Sequence, residues 1–205
     1  MFAREARVLR ITREEAEQNR TRIVDAAARL FREKGFNGVG VAELMHAAGL
    51  THGGFYNHFA SKEELEGAIC DLSFDQAVGM LERTAAGATD AERKARFDDY
   101  VANYLSERAR DAGAARCPMV ALANDAVRQG GAVRRRFAAG IARYIDALER
   151  AIAPRGRPRD RDRGHAITTL AMLIGGLILA RGVKDADRAL SDEILATLRE
   201  AITQR

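Results

Sequence analysis

The chain is poor in the residues from which several kinds of protein are built. Its 205 residues include two cysteines, three prolines and no tryptophan. Cys70 and Cys117 are far apart and lack CxxC spacing, which excludes a disulfide framework or a cysteine-rich zinc site and suits a reducing cytosol. Strand-like alternation is absent. Met1 to Arg13 alternates arginines with apolar residues and lacks the continuous apolar core of a signal peptide. The most apolar run, Ala166 to Ala180, is shorter than the roughly 20 residues that cross a bilayer, and it contains Thr168, Thr169, Gly175 and Gly176. It predicts a buried helix in a soluble, cytoplasmic protein. Also missing are a nucleophile–base pair, a phosphate-binding glycine loop and a metal constellation. No enzyme activity and no cofactor are therefore expected. His46, His52 and His58 recur every six residues across a turn, a poor spacing for a shared metal.

What is present reads as helix. Apolar residues make up 47% and charged residues 30%, with a net charge of +4, which permits a nucleic-acid partner without requiring one. Alanine, arginine, leucine and glutamate dominate, so an all-α fold of about nine helices is expected. A first helix runs from about Arg13 to Lys34, and Gly35 should end it with a left-handed cap. A short helix follows, with Val41, Leu44, Met45 and Ala48 on one face. Gly49 breaks it, and another short helix covers about Thr51 to Phe59. Ser61-Lys62-Glu63-Glu64 reads as a capping box that opens a long helix to about Ala85. Further helices are predicted to about Arg110, from Pro118 to near Gly130, to just before Pro154, from His165 to Val183, and from Ala186 to Thr203. Pro154 to Gly164 is a polar, arginine-rich connection.

The segment Val41 to Phe59 has the build of a helix-turn-helix: a supporting helix, a turn with glycine free to take positive φ, and a second helix with an open face. Phe55 and Phe59, one turn apart, anchor the second helix. Gly53, Gly54 and Asn57 face away, with His52 and Tyr56 along the edge. Adjacent glycines in mid-helix each cost about 1 kcal/mol against alanine, and close approach of the backbone to a large partner such as DNA is a reason to accept that loss.

Between about Arg20 and Leu65 the sequence resembles the TetR family of transcriptional regulators. The resemblance rests on the Ile23-to-Phe31 helix, Gly35-Phe36, Ala47-Ala48-Gly49 and Tyr56-Asn57-His58-Phe59-x-Ser61-Lys62. It implies a DNA-binding head at residues 1–62, with a regulatory and dimerisation body at 63–205. A homodimer reading a near-palindromic operator and released by a small molecule would follow. On that resemblance Tyr56, His58 and Lys62 match phosphate-contacting positions, and His52, Gly53, Gly54 and Asn57 match positions facing bases. His58 is equally open to a packing role. The chain departs from the family by lacking threonine or serine at Gly40 and Val41 and by carrying His52 where lysine is common. Arg4, Arg7, Arg10 and Arg13 form either a basic arm along the DNA or a solvated extension.

In the body, Phe97, Tyr100, Tyr104, Cys117, Met119, Leu122, Phe137, Tyr144 and Met172 are candidate ligand contacts, with core packing as the competing role. Ile167, Leu170, Ile174, Leu177, Ile178, Leu190, Ile194 and Leu198 are the candidate dimer surface. Cys117 follows Arg116 and precedes Pro118, at an expected helix start where dipole and cation lower a thiol's pKa. That pattern allows an alternative repressor that senses oxidants or electrophiles, against a plain buried thiol. A helical interaction module that does not bind DNA is the remaining alternative.

Overall fold

Thr12 opens the first helix, α1 (Arg13–Lys34), through a capping box. Its hydroxyl accepts from the Glu15 amide at 3.2 Å, and the Glu15 carboxylate accepts from the Thr12 amide at 2.8 Å. The computed structural model describes residues 12–86, 89–112, 117–153 and 162–204. Arg4, Arg7 and Arg10, and with them most of the expected basic arm, lie outside the described residues. Arg13 is the first residue of α1 and is exposed. Gly35 ends α1 with φ 73° and ψ 171°, its amide donating to the Phe31 carbonyl at 2.9 Å. The positive φ is as expected, but the extended ψ is not that of a left-handed cap. The chain leaves in extended form, and Phe36 turns back onto Phe31, with ring centroids 5.1 Å apart.

Next come α2 (Val41–Ala47) and a 3₁₀ helix (His52–Asn57). The latter replaces the α-helix expected over Thr51 to Phe59. Two adjacent glycines give α-helical hydrogen bonds little support. The bonds from the Gly54 amide to the Thr51 carbonyl, 3.0 Å, and from the His58 amide to the Phe55 carbonyl, 2.9 Å, have the tighter three-residue span. Then α3 (Lys62–Ala85) begins at Ser61, whose hydroxyl accepts from the Glu64 amide at 3.1 Å. The Glu64 carboxylate accepts from the Ala60 amide at 2.7 Å, one residue before the position expected.

The helix expected to reach Arg110 is broken into α4 (Asp90–Tyr104) and α5 (Glu107–Asp111). Leu105 leaves the helical region, at φ −96° and ψ 47°, and is fully buried, while Ser106 caps a new helix by accepting from the Ala109 amide at 3.0 Å. This break delivers Arg110, also buried, to the last helix. The remaining helices are α6 (Pro118–Ala126), α7 (Gly131–Ile152), α8 (Asp162–Val183) and α9 (Arg188–Thr203). Among the described residues there are nine α-helices and one 3₁₀ helix.

Two helices organise the packing. α3 starts against α1 and then lies along α7. At their crossing Gly140 admits the Phe74 ring so closely that a Cβ there would overlap it. Arg136, Arg143 and Arg150, one heptad apart on α7, pair with Asp71, with Asp75 at 2.7 Å and with Glu82 at 3.3 Å. These exposed pairs set alignment more than stability, at about 0–1 kcal/mol each. α8 packs on α7 and α9, and Gly176 lets the Leu198 and Leu105 side chains close over it. The helical stretch Arg163–Val183 extends past the apolar run at both ends and is, by length and composition only, long and apolar enough to cross a membrane, a test that a core helix also passes. Arg110 donates to Ser191 at 3.0 Å and also to Asp192 and Asp111, and Ser191 donates to the Ala180 carbonyl at 2.8 Å. That network ties α5, α8 and α9 together. The end of α6 meets the first helices, where Gln129 donates to Asn37 at 3.1 Å and Gly35 and Gly130 admit Asp125 and Glu63.

Candidate nucleic-acid interface

The turn between α2 and the 3₁₀ helix is made by Gly49 at φ 68°, as its sequence position predicts. The Leu50 amide donates to the Met45 carbonyl at 2.8 Å, closing the turn. Phe55 and Phe59 are buried, with ring centroids 5.7 Å apart, and fix the 3₁₀ helix to the core. The opposite side is open. Thr51, His52, Gly53, Tyr56 and Asn57 are exposed, Tyr56 by 63%, whereas Gly54 and His58 are half-buried. A Cβ on Gly53 would meet nothing within 4 Å, so packing inside the protein does not require glycine there. One on Gly54 would make ordinary contact with Met45 at 3.5 Å. Gly54 therefore lies between the open face and the core.

Lys62 is placed differently from expectation. Its ammonium donates to the Phe36 carbonyl at 2.6 Å, lies 3.4 Å from the Glu66 carboxylate and sits 5.9 Å from the Phe31 ring. In this conformation it fastens the start of α3 to the end of α1 and does not reach outward. Burial pushes the Glu66 carboxyl up, and the neighbouring Lys62 charge opposes that shift. Two exposed cations on α1 flank the reading turn instead. The Arg20 guanidinium lies 4.7 Å from the centre of the Phe59 ring, and Arg22 donates to the Gly49 carbonyl at 3.4 Å. Sequence reading missed both, because each partner lies almost thirty or more residues away and no local pattern marks them.

Residues 23–69, which hold α1 from Ile23, the turn, the 3₁₀ helix and the start of α3, match the family model for bacterial regulatory proteins of the tetR family. This segment is a TetR-type DNA-binding domain. The HTH-type transcriptional regulator AcrR of Shigella flexneri is 40% identical over 73 residues, 36% of this chain and 34% of that protein. An uncharacterized HTH-type transcriptional regulator of Mycobacterium tuberculosis is 26% identical over 193 residues, 88% of this chain and 96% of that one. With the curated relatives first matched the chain aligns over about a third of their length. Among solved structures, Escherichia coli NemR in its reduced form superposes with a TM-score of 0.74 at 19% identity, over 91% of this chain and 95% of that one. A TetR regulator of Chloroflexus aurantiacus gives 0.73 at 25% identity, over 94% and 98%. Residues 23–69 are thus a TetR-type helix-turn-helix head of the kind these regulators carry.

Behind this TetR-family head, several expected ligand contacts come together. Phe97, Tyr100, Cys117, Met119, Leu122, Phe137 and Tyr144 are buried, while Tyr104 and Met172 are half-buried. The Tyr100 and Tyr144 hydroxyls share a hydrogen bond, and the Tyr100 ring lies 6.4 Å from Phe97 and 6.0 Å from Tyr104. Phe137 stands apart, edge-on to Phe74 at 5.3 Å. An open groove lies elsewhere, between α3 and α7, lined by Asp75, Val78, Gly79, Glu82, Arg143, Asp146 and Arg150. None of the nine expected contacts lines it.

Cys117 is the N-cap of α6, as expected, but the predicted lowering of its pKa is overturned. Burial pushes the thiol up; the Tyr104 hydroxyl, the Val120 and Met119 amides and Arg181 pull the other way without prevailing. Arg116 lies outside the described residues. The surface expected to bind a second copy divides. Leu170 and Leu177 are buried and Leu198 packs over Gly176 within the chain; Ile167, Ile178 and Leu190 are exposed, and Ile174 and Ile194 are half-buried. Leu179, not anticipated, is 58% exposed beside them.

Proposed function

We propose that this chain is a ligand-responsive repressor that binds a near-palindromic operator as a homodimer and is released by a small molecule acting in the body. The observation that carries the reading is the open, polar face of the 3₁₀ helix, held from behind by Phe55 and Phe59 and flanked by Arg20 and Arg22. Residues 1–62 read DNA in this scheme, and residues 63–205 take up the effector and pair the subunits. Asn57 is suited to an adenine edge and His52 to a purine acceptor, while Gly53 and Gly54 let the backbone approach. Tyr56, Arg20 and Arg22 grip phosphates, with His58 at the margin. Lys62 stiffens the head, a different role from the one its sequence position suggested. The relative KstR2 of Rhodococcus jostii is named a repressor, which supports the sign of regulation. Exposed Ile167, Ile178, Leu179 and Leu190 supply an apolar stripe for a two-fold partner. The protein acts in the cytoplasm, without an enzymatic step.

The test is a gel shift of the full-length protein on the DNA upstream of its own gene, with salt titration. Binding should weaken steeply between about 50 and 200 mM salt, as counterion release requires. Absent or salt-insensitive binding would favour a helical interaction module.

A further inference from the structure

Four helices of the body bring their polar groups to one place. Tyr100 and Tyr104 come from α4, Cys117 from the start of α6, Tyr144 from α7 and Arg181 from α8. α4 packs on α7 and α8, and α6 packs on both as well. The Tyr104 hydroxyl lies beside the Cys117 thiol, and both are within electrostatic reach of the Arg181 guanidinium. Tyr100 and Tyr144 are bonded to each other through their hydroxyls. The Phe97 ring stacks on Tyr100, and Met119 and Leu122 of α6 are buried as well.

The hydrogen-bonding inventory of this cluster is unbalanced. Two phenols that share one hydrogen bond leave one O–H without an acceptor from that pair. The buried Tyr104 hydroxyl has only the Cys117 thiol, a weak acceptor, beside it, and the buried Nε of Arg181 has no hydrogen-bond partner. Arg181 spends its other end on the carbonyls of Ala109, 2.6 Å, and Ala112, 3.2 Å. Among the described residues no carboxylate forms an ion pair with it. The groups left over are therefore donors beside one uncompensated cation. Burial holds all three phenols protonated, so they remain donors throughout the physiological pH range. A buried donor without a partner destabilises a fold, and a ligand that accepts from it restores the balance.

We propose that this cluster is the headgroup subsite of the effector, and that the effector is a small apolar carboxylate whose oxygens accept from Tyr104, Arg181 and the Tyr100–Tyr144 pair. The proposal rests on the ligand-responsive reading given above and adds the ligand's chemical class. A carboxylate offers only acceptors and one negative charge, which is the complement of what the cluster leaves unspent. A neutral amide of the same shape would bring a donor NH₂ into a site already rich in donors.

The experiment compares 2-naphthoate with its isostere 2-naphthamide on the full-length protein at pH 7.5, by calorimetry and by release of operator DNA. The carboxylate should bind at least about tenfold more tightly than the amide, the usual worth of a charge-assisted pair. Tyr104→Phe should weaken naphthoate about fivefold while leaving the melting temperature of the free protein unchanged or higher, because the hydroxyl it removes has only a weakly accepting thiol beside it. Arg181→Lys, which retains the charge but loses the fork, should also narrow the preference for carboxylate. Equal or tighter binding of the amide overturns the proposal, as does wild-type affinity in Tyr104→Phe or a failure of both probes to bind. If the amide alone releases DNA, the carboxylate class falls and ligand responsiveness stands. If naphthoate binds as described but DNA is not released, the subsite stands and the ligand-responsive reading falls.

Discussion

The two ends of this molecule use buried aromatic side chains in opposite ways. In the head, Phe55 and Phe59 are purely apolar, and Thr51, His52, Tyr56 and Asn57 are displayed outward. In the body, Tyr100, Tyr104 and Tyr144 carry their hydroxyls inward to a place with few acceptors. The first arrangement makes a rigid support for a surface that meets a macromolecule. The second holds donors in reserve inside the chain. On the function proposed above, the head presents its polar face ready for DNA, whereas the body would gain from a guest that accepts hydrogen bonds.

The largest effect that separates support from display is expected at two neighbouring residues. Phe55→Ala should cost about 3–5 kcal/mol, the usual range for deleting a fully buried phenylalanine, and should abolish operator binding by unfolding the head. Tyr56→Ala, one position on and 63% exposed, should change stability by less than about 0.5 kcal/mol and still weaken operator binding. Chemical denaturation together with a gel shift separates the two. A loss of stability in Tyr56→Ala as large as that in Phe55→Ala would undo the distinction.

Two glycines extend the same contrast at smaller magnitude. Gly140→Ala places a methyl group against the Phe74 ring at the α3–α7 crossing and should cost about 1–3 kcal/mol through overpacking, read as a lower denaturation midpoint. Gly53→Ala meets open space and should leave stability equal or slightly higher. If the backbone at Gly53 approaches DNA closely, the same methyl group should lower operator affinity about tenfold. Unchanged affinity would show that the glycine pair serves local backbone geometry alone.

How much of this could be read beforehand follows from the range of the interactions. The caps, the Gly49 turn and the Phe55–Phe59 anchor depend on residues within about one helical turn of each other, so the head is legible from its sequence. The break at Leu105 is not, since it depends on delivering Arg110 to Ser191 and Asp192, some eighty residues away. Arg22 at Gly49 and Lys62 at Phe36 are similar cases, each joined across more than twenty-five residues. The aromatic residues of the body were recognisable as interior, but their hydrogen-bonding balance emerges only when four helices meet. In the two closing helices periodicity identified an apolar set, yet it did not divide the residues facing the chain's own core from Ile167, Ile178 and Leu190, which remain exposed.

The Arg110 network gives a pH-dependent test within the body. Arg110, chiefly by hydrogen bonding, and Arg188 hold the Asp111 carboxyl down at about 2, below its ordinary value of 3.8. A carboxylate depressed in the folded state adds stability that is fully present above its unfolded pKa and is lost as pH falls through the folded one. Asp111→Asn should therefore be less stable than the parent chain at pH 7, with the gap closing between about pH 4 and pH 2. Asp111 is exposed, so solvent screens the pair and the gap should be small. Thermal melts of both proteins across that range measure it, and a gap that stays constant to pH 2 would remove the ion pair as its cause.

The smallest expected effect falls on the two cysteines, where local and global signals conflict. The start of α6 gives Cys117 amide neighbours that favour a thiolate, yet burial prevails and pushes its pKa up. Cys70, inside α3, is pushed up to about 12, mainly by burial and then by Asp71 and Glu66. Neither thiol should then be a ready nucleophile, since the thiolate is the reactive species. In the native protein at pH 8, iodoacetamide should label both cysteines much more slowly than it labels them in denaturant. Cys117→Ser should leave operator binding, and its response to peroxide, indistinguishable from the parent chain. Rapid native labelling at Cys117, with peroxide release lost in the serine variant, would mean that the body opens often enough for the helix start to outweigh burial. The reserve of donors around Tyr104 would then be exposed to solvent for part of the time.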